Sequence, residues 1–324
     1  MHPVARRMAL GVQHWLRGFD QSAARHLDAK LSEQRSPILL IGAPRTGSTL
    51  FFQLLVRQFR VSYISNAMAA APRFMVRLCR FAPRTCVGFN DCVRKSEFGF
   101  VPGLLAPNEA GQVMRDWFGA DASDESAAWV RATVAAITAQ ADAALFLKNQ
   151  SNTIRLTKVQ RIFPGARMLL LRRDLRWTAQ SLLVARRRLH GDDRQWWSVQ
   201  PPGWESVAER EPVYQVLWQA AKLEQIALAA CAAAPHRAAV VDYEELCARP
   251  AAVMTGIGER FGLEPTGLLP PQLSTSERRR LSERDWDRLE ALYQRHFSAD
   301  AAARNRVAAP LRIPAAGHER KPSW

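Results

Sequence analysis

Short runs of consecutive aliphatic residues, each stopped by glycine, proline or a charge, alternate with longer segments whose apolar residues recur at helical spacing. Ile38-Leu39-Leu40-Ile41 lies between Pro37 and Gly42. Four large aliphatics with no polar residue between them predict a strand buried on both faces, the kind found in parallel sheets. Met168-Leu169-Leu170-Leu171 repeats the pattern, and Ala238 to Val241 predicts a third plain strand. Val61 to Ile64 predicts a further short one. Between them, Leu50 to Phe59 reads as a buried helix, Ser126 to Leu145 as an alanine-rich helix, and Ile154 to Phe163 as a short amphipathic helix closed by Pro164-Gly165. A helix follows Arg172-Arg173-Asp174 through Ser181 to Arg188, and another covers Glu211 to Ala234. Strands alternating with helices predict an α/β fold around a mostly parallel sheet. In such sheets ligands sit beyond the carboxyl ends of the strands.

The punctuation sets the organisation. Residues 1–35 are polar and helix-like, an N-terminal extension. Residues 36–300 read as a single α/β domain. Within it, an irregular cap rich in Pro, Gly, Arg and Phe is expected at about 66–125, and a lid without clear period at about 190–212. From 265 the pattern is helical, and 301–324 form a basic tail. No internal repeat is visible.

Composition narrows the class. With 324 residues, 48% hydrophobic, the chain has ample material for a core. The net charge of +15 favours anionic partners such as nucleotides, sulfated glycans, nucleic acid or anionic lipid. The arginines are dispersed, which fits solvated faces equally well. No segment reaches the ~18 apolar residues of a membrane span, and Met1 to Phe19 has neither the apolar core nor the cleavage site of a signal peptide. Val4 to Phe19 reads as a basic amphipathic helix, packed on its own domain or touching a membrane surface. The five cysteines, Cys79, Cys86, Cys92, Cys231 and Cys247, form no CxxC pair. Reduced thiols in a cytoplasmic protein, with no metal site, are the expectation.

The strongest chemical signal is Gly42-Ala43-Pro44-Arg45-Thr46-Gly47-Ser48-Thr49, between the first strand and its helix. The glycines have GxxxxG spacing, and a turn into a helix start aims free backbone N–H groups and the positive dipole end at an anion. Thr46, Gly47, Ser48 and Thr49 supply those donors and hydroxyls. A nucleoside triphosphatase needs Lys directly after the second glycine. Here that position is Ser48, and the cation is Arg45 inside the loop. A second signal is Arg173 at a strand end with Ser181 in the helix after it. A guanidinium and a hydroxyl can together hold one phosphate. On these residues alone, an arginine paired with Asp174 or capping the helix, with an ordinary helical serine, is the commoner reading.

Together the segments resemble the sulfotransferase family. Ala43-Pro44-Arg45-Thr46-Gly47-Ser48-Thr49-Leu50 is similar to its 5'-phosphosulfate loop, with Arg45 where members carry Lys or Arg. Phe163 to Asp174 is similar to its 3'-phosphate strand, and Arg173 and Ser181, with seven residues between them, match the family's Arg–Ser pair. Asp242-Tyr243-Glu244-Glu245-Leu246, Pro250 and Phe261-Gly262-Leu263 resemble a common C-terminal stretch. Leu147-Lys148-Asn149-Gln150-Ser151 resembles the "LKxPS" element, with Gln150 where proline is usual.

The resemblance covers roughly residues 36 to 265. It implies a P-loop-like fold and 3'-phosphoadenosine 5'-phosphosulfate (PAPS) as co-substrate without metal. A small-molecule, glycan or peptide acceptor is expected, with no nucleic acid and a bacterial source. Arg45 and Thr46 to Thr49 would hold the leaving phosphate, Arg173 and Ser181 the 3'-phosphate, and Lys148 the sulfuryl oxygens.

A general base is harder to find, since Val61 to Asn90 contains no Asp, Glu or His. Glu109, in a "PxE"-like element, comes first, and reads equally well as an ordinary first-turn helix acid; His190 comes second. Trp196, Trp197 and Trp204 in the lid either stack on an acceptor or pack the lid down. Two rivals stay open: a P-loop small-molecule kinase, and a non-enzymatic polyanion or nucleic-acid binder.

Overall fold

The computed structural model describes residues 36–81, 99–119, 124–275, 277–299 and 311. The expected N-terminal helix, the basic tail at 301–324 apart from Leu311, and part of the expected cap lie outside the described residues. Two compact units share the chain. One holds the residues up to Ile41 and those from Ser48 to Met168; the other holds Gly42–Gly47 and Leu169 onward.

The first unit runs β1 (Ile38–Ile41), α1 (Ser48–Gln58), β2 (Ser62–Tyr63), α2 (Asn66–Ala70), α3 (Met75–Phe81), α4 (Gly111–Phe118), α5 (Asp124–Ala141), β3 (Leu145–Lys148) and α6 (Leu156–Ile162). The second follows with β4 (Arg167–Arg172, whose first two residues belong to the first unit), α7 (Leu175–His190) and α8 (Pro212–Ala233). It ends with β5 (Ala238–Asp242), α9 (Tyr243–Ala248), α10 (Pro250–Phe261) and α11 (Glu283–His296). The strands form one sheet in the order β2-β3-β1-β4-β5. Both β2 and β1 pair with β3 in parallel, with Leu40 opposite Lys148.

Within the first unit β1 is wholly buried, and α1 buries Phe51, Phe52, Leu54, Leu55 and Val56. That burial explains the absence of polar alternation in Ile38 to Ile41. The alanine-rich helix stops sooner than its composition suggests. Asp142 takes a left-handed backbone (φ 46°) and ends α5, a conformation a short polar side chain tolerates better than most. Leu145 therefore opens a strand, β3, instead of closing a helix. Two parts expected as irregular are helical, α2 with α3 and α4. The helix expected from Ile154 begins at Leu156, after a 3-10 stretch over Gln150–Arg155.

The second unit is built on caps and charge pairs. Asp174 accepts from the Arg176 amide and starts α7; Gly191, left-handed at φ 68°, ends it. Arg176 bridges Asp174 and Glu290 and lies over the Tyr293 ring, which fastens α7 to α11. Arg187 does the same with Asp193 and Asp285. Among the described residues of the stretch from 265 to 281, expected as helix, there is none; Ser282 caps α11 by accepting from the Asp285 amide.

Cysteine chemistry departs from expectation at one position. Cys231 and Cys247 are free and buried, but Cys79 is disulfide-bonded. Burial pushes the Cys231 thiol up to about 12. Among the described residues no helix is long and apolar enough to cross a membrane.

Gly42 gives a direct test of the packing. Its φ is +128°, and a Cβ there would stand 2.9 Å from the Leu171 carbonyl oxygen and 3.0 Å from Leu170 Cδ1. Gly42→Ala is expected to lower unfolding free energy by ~2–4 kcal/mol, from backbone strain plus overpacking. Urea denaturation checks it; a loss under about 0.5 kcal/mol would mean that the turn relaxes freely.

Candidate functional site

The loop from Gly42 to Gly47 is held in its own unit by close contacts. Thr46 Oγ1 donates to the Ala43 carbonyl at 3.1 Å and closes the turn. Gly47 has φ +95°, and a Cβ on it would meet the Tyr243 ring at 2.7 Å. Only glycine fits there, so the spacing of the motif has a steric cause. Between the glycines Arg45 also stands in the left-handed region, at φ 71°. For a residue with a long side chain this costs about 1–2 kcal/mol.

The strained backbone aims Arg45 toward the middle of α7. Its Nε donates to Ser181 Oγ at 3.0 Å, joining two motifs that are 136 positions apart. Arg173, at the first turn beyond β4, donates from Nη1 to the Arg45 carbonyl at 3.5 Å. Its guanidinium lies over the Tyr243 ring, 4.6 Å from the centroid. Asp174 does not take Arg173; it caps α7 and pairs with Arg176. Burial pushes the Tyr243 hydroxyl up to about 12, so the ring supporting Arg173 stays neutral at physiological pH. Arg45, Thr46, Gly47, Arg173 and Ser181 thus form one cationic cluster within the second unit.

Sequence reasoning missed two members of this neighbourhood. Gln180, 1% exposed, donates to the Arg278 carbonyl at 3.1 Å and accepts from the Arg280 amide at 2.7 Å. That clamp holds the segment bearing Arg280, whose pKa is lowered by burial and by the positive charges of Arg173 and Arg188. The run Arg278-Arg279-Arg280 was visible as charge, but nothing local in the sequence ties it to Arg173.

The other expected site residues gather in the first unit. Gln150 donates to Ser48 Oγ at 2.6 Å, so the residue at the usual proline position anchors the start of α1. Lys148, at the carboxyl end of β3, donates to Thr49 Oγ1 at 3.0 Å and pairs with Glu109 Oε1. The Lys148 side chain is 2% exposed and that of Glu109 is 30% exposed. The carboxylate is the member of the pair that solvent, or an acceptor, can reach.

Glu109 is not a first-turn helix acid as expected. α4 starts only at Gly111, after Ala110 in a left-handed backbone (φ 48°). The turn is set by Asn108, whose Oδ1 accepts from the Ala110 amide at 2.6 Å and whose own amide donates to the Ile64 carbonyl. Asn149 Nδ2 donates to the Glu109 carbonyl at 3.1 Å. Gly99 makes room for the carboxylate: a Cβ there would come within 2.8 Å of the Glu109 carboxyl carbon.

His190 stands apart. It is exposed at the last turn of α7, nine residues beyond Ser181, or about 13 Å along the helix at its usual rise. No geometry here makes it a partner of the Arg45 cluster.

Residues 37–267 match the sulfotransferase family. The chain belongs to that family. A search of the solved structures finds sulfotransferase STF9 from Mycobacterium avium at a TM-score of 0.50 and 17% identity, covering 86% of this chain and 71% of that one. Sulfotransferase STF1 from Mycobacterium tuberculosis matches with 17% identity and a TM-score of 0.48, over 81% and 76% of the two chains. A sulfotransferase from Alicyclobacillus acidocaldarius matches with 16% identity and a TM-score of 0.43, over 83% and 94%. Comparison with the curated proteins finds no match. The fold is the P-loop-like fold of sulfotransferases, with its central parallel sheet flanked by helices.

In this sulfotransferase the segment expected as a lid carries one 3-10 turn, Trp204–Val207. Buried Arg186 ties it down. Its Nη1 donates to Gln215 Oε1 at 2.7 Å and to the Asp193 carbonyl at 3.3 Å, and its Nη2 to Gln219 Oε1 at 3.2 Å. The Trp196 ring lies 4.6 Å from its guanidinium carbon and packs against Trp204 at 5.5 Å. Gln219 in turn donates to the carbonyls of Trp197 and Val199. Trp196 and Trp204 are therefore half-buried packing residues. Burial pushes Arg186 down to about 10, so it remains a cation at neutral pH. Gln219→Ala removes both carbonyl anchors and leaves Arg186 short of an acceptor. It should cost ~1–3 kcal/mol and open the segment around 192–204 to limited proteolysis. Unchanged cleavage there would show that the aromatic packing alone holds the segment.

Proposed function

We propose that this sulfotransferase moves a sulfuryl group from PAPS to a hydroxyl or amine acceptor. The observation that carries the reading is the Arg45–Ser181–Arg173 cluster, in which two phosphate-binding motifs, distant in sequence, converge within hydrogen-bonding distance. The residues fit the donor chemically. Arg173, stacked on a neutral tyrosine, and the Ser181 hydroxyl offer charge-assisted bonds to a 3'-phosphate. Gly47 lets the loop pass against the Tyr243 ring without a side chain, and a turn into a helix start offers the Thr46 to Thr49 amides to an anion.

The chemistry asked of the protein is electrostatic. The acceptor atom attacks sulfur, the bond from sulfur to the 5'-phosphate oxygen breaks, and negative charge grows on the leaving phosphate. Arg45 and the loop amides neutralise that charge. A guanidinium holds its proton at any physiological pH, so Arg45 acts by charge and position alone. Lys148 steadies the sulfuryl oxygens. Glu109, the solvent-reachable partner of Lys148, takes the acceptor's proton. Small-molecule, glycan and peptide acceptors all satisfy these requirements, and nothing in them calls for a metal or for nucleic acid.

Calorimetry with 3'-phosphoadenosine 5'-phosphate (PAP), beside ATP and 5'-AMP and with EDTA present, tests the donor. The bisphosphate alone should bind tightly, and Arg173→Ala should weaken it by roughly tenfold or more, as loss of a charge-assisted phosphate contact does. Binding of ATP with magnesium but not of the bisphosphate would replace the reading by a kinase. In turnover assays with PAPS, Arg45→Ala should lose at least about a hundredfold in kcat, with the bisphosphate still bound. Glu109→Gln should lose about a hundredfold with a hydroxyl acceptor. Full activity in Glu109→Gln would remove it as base.

A further inference from the structure

Two arginines of the first unit are left over from the site described above. Arg155 is the last residue of the 3-10 stretch that begins directly after Lys148-Asn149, and it immediately precedes α6. Its side chain makes no capping bond, and a cation at a helix start opposes the dipole. Its Nη1 is buried and has no hydrogen-bond partner. Among the described residues no carboxylate pairs with it.

The neighbour that Arg155 does feel is Arg115, a second guanidinium. Burial, and then the charge of Arg115, lower its pKa. Arg115 comes from the last turn of α4, and its Nη2 donates at 2.7 Å to the neutral amide of Gln112. The nearest acid in sequence, Asp116, accepts from that same Gln112 instead.

A half-buried cation beside an exposed one, without a carboxylate, is costly. Such charges are ordinarily paired, and a donor buried without a partner asks for an acceptor. The missing acceptor is an anion.

The location says what anion. Arg115 Nη1 and Asn149 Nδ2 lie 4.0 and 3.6 Å from one and the same point, the place a Cβ on Gly111 would take. Asn149 follows Lys148 in sequence and donates to the Glu109 carbonyl. Arg115 is therefore reached from the Lys148–Glu109 pair across a single amide side chain, and Arg155 closes the 3-10 stretch that Asn149 caps. That is the span of a small molecule whose reacting end lies at Glu109.

We propose that Arg115 and Arg155 bind an oxyanion carried by the acceptor, and that the acceptor is a hydroxyl or amine compound bearing a carboxylate, phosphate or sulfate group. The inference rests on the reading of Lys148 and Glu109 as the reacting end of the site. It differs from the donor assignment, which uses Arg45, Arg173 and Ser181. A planar guanidinium pair suits the two or three oxygens of such a group.

The test is calorimetric binding to the full chain, with and without saturating PAP. The probes are hydroxylated acids (an aromatic carboxylate, a sugar phosphate and a sulfated sugar), each beside its neutral methyl ester or parent. At least one acid should bind roughly tenfold or more tightly than its neutral counterpart. Arg155→Gln should erase that preference while PAP still binds, and Arg155→Lys should keep part of it. Arg115→Gln, at an exposed position, reads the same preference should Arg155→Gln fold poorly. Equal binding of acids and neutral forms, or a preference that survives both substitutions, overturns the proposal. Inorganic phosphate that binds as tightly as the acids, without displacing them, makes the pair a free-anion site and overturns the assignment to the acceptor. Failure of PAP to bind counts against the donor reading alone, because the acid preference is measured without it as well.

Discussion

A close approach of backbone to side chain governs the glycine loop of the second unit. The turn after β1 passes so near to β4 that Gly42 has no room for a side chain, and it returns so near to Tyr243 that Gly47 has none either. Between these two pinned points the chain must adopt positive φ at Arg45. Strain of this kind persists only where the surroundings over-determine it. Here they do: Thr46 locks the turn, Arg173 reaches the Arg45 carbonyl, and Ser181 receives the Arg45 side chain. Arg173 is itself placed by Tyr243, the ring that excludes a side chain at Gly47. One aromatic ring thus shapes the loop and supports the cation.

Burial of arginine is solved in contrasting ways. Arg186, inside the second unit, is surrounded by neutral acceptors: two glutamine carbonyls, a backbone carbonyl and the face of Trp196. The cation is kept without a carboxylate, at the cost of a pKa drawn down toward 10. Arg176 and Arg187 take the commoner route and pair with acids across α7 and α11. Arg155 has neither solution, and that difference sets it apart from the structural arginines.

Much of this was legible in the sequence. Unbroken aliphatic runs mark strands buried on both faces, and β1, β4 and β5 appeared where those runs stand. The glycine loop, Arg173 and Ser181 were legible because the motif spacings follow from steric needs. Other parts were hidden for physical reasons. β3 merges into an alanine-rich helix in composition, and only the left-handed Asp142 separates the two. Gln180, Gln215 and Gln219 look like ordinary helix residues, because their work is done through contacts distant in sequence. The pairing of Glu109 with Lys148 joins residues 39 positions apart, and the Asn108 turn that aims the carboxylate has no strong pattern.

The way the segment after α7 is fastened has an evolutionary consequence. Gln219 grips it by the main-chain carbonyls of residues 197 and 199, and Arg186 by that of residue 193. Main-chain carbonyls are the same whatever side chain is attached. Most side chains of this segment can therefore drift between relatives while its path stays fixed, provided that the two holding residues on α7 and α8 are retained. Selection can vary the surface this segment presents without having to refold it.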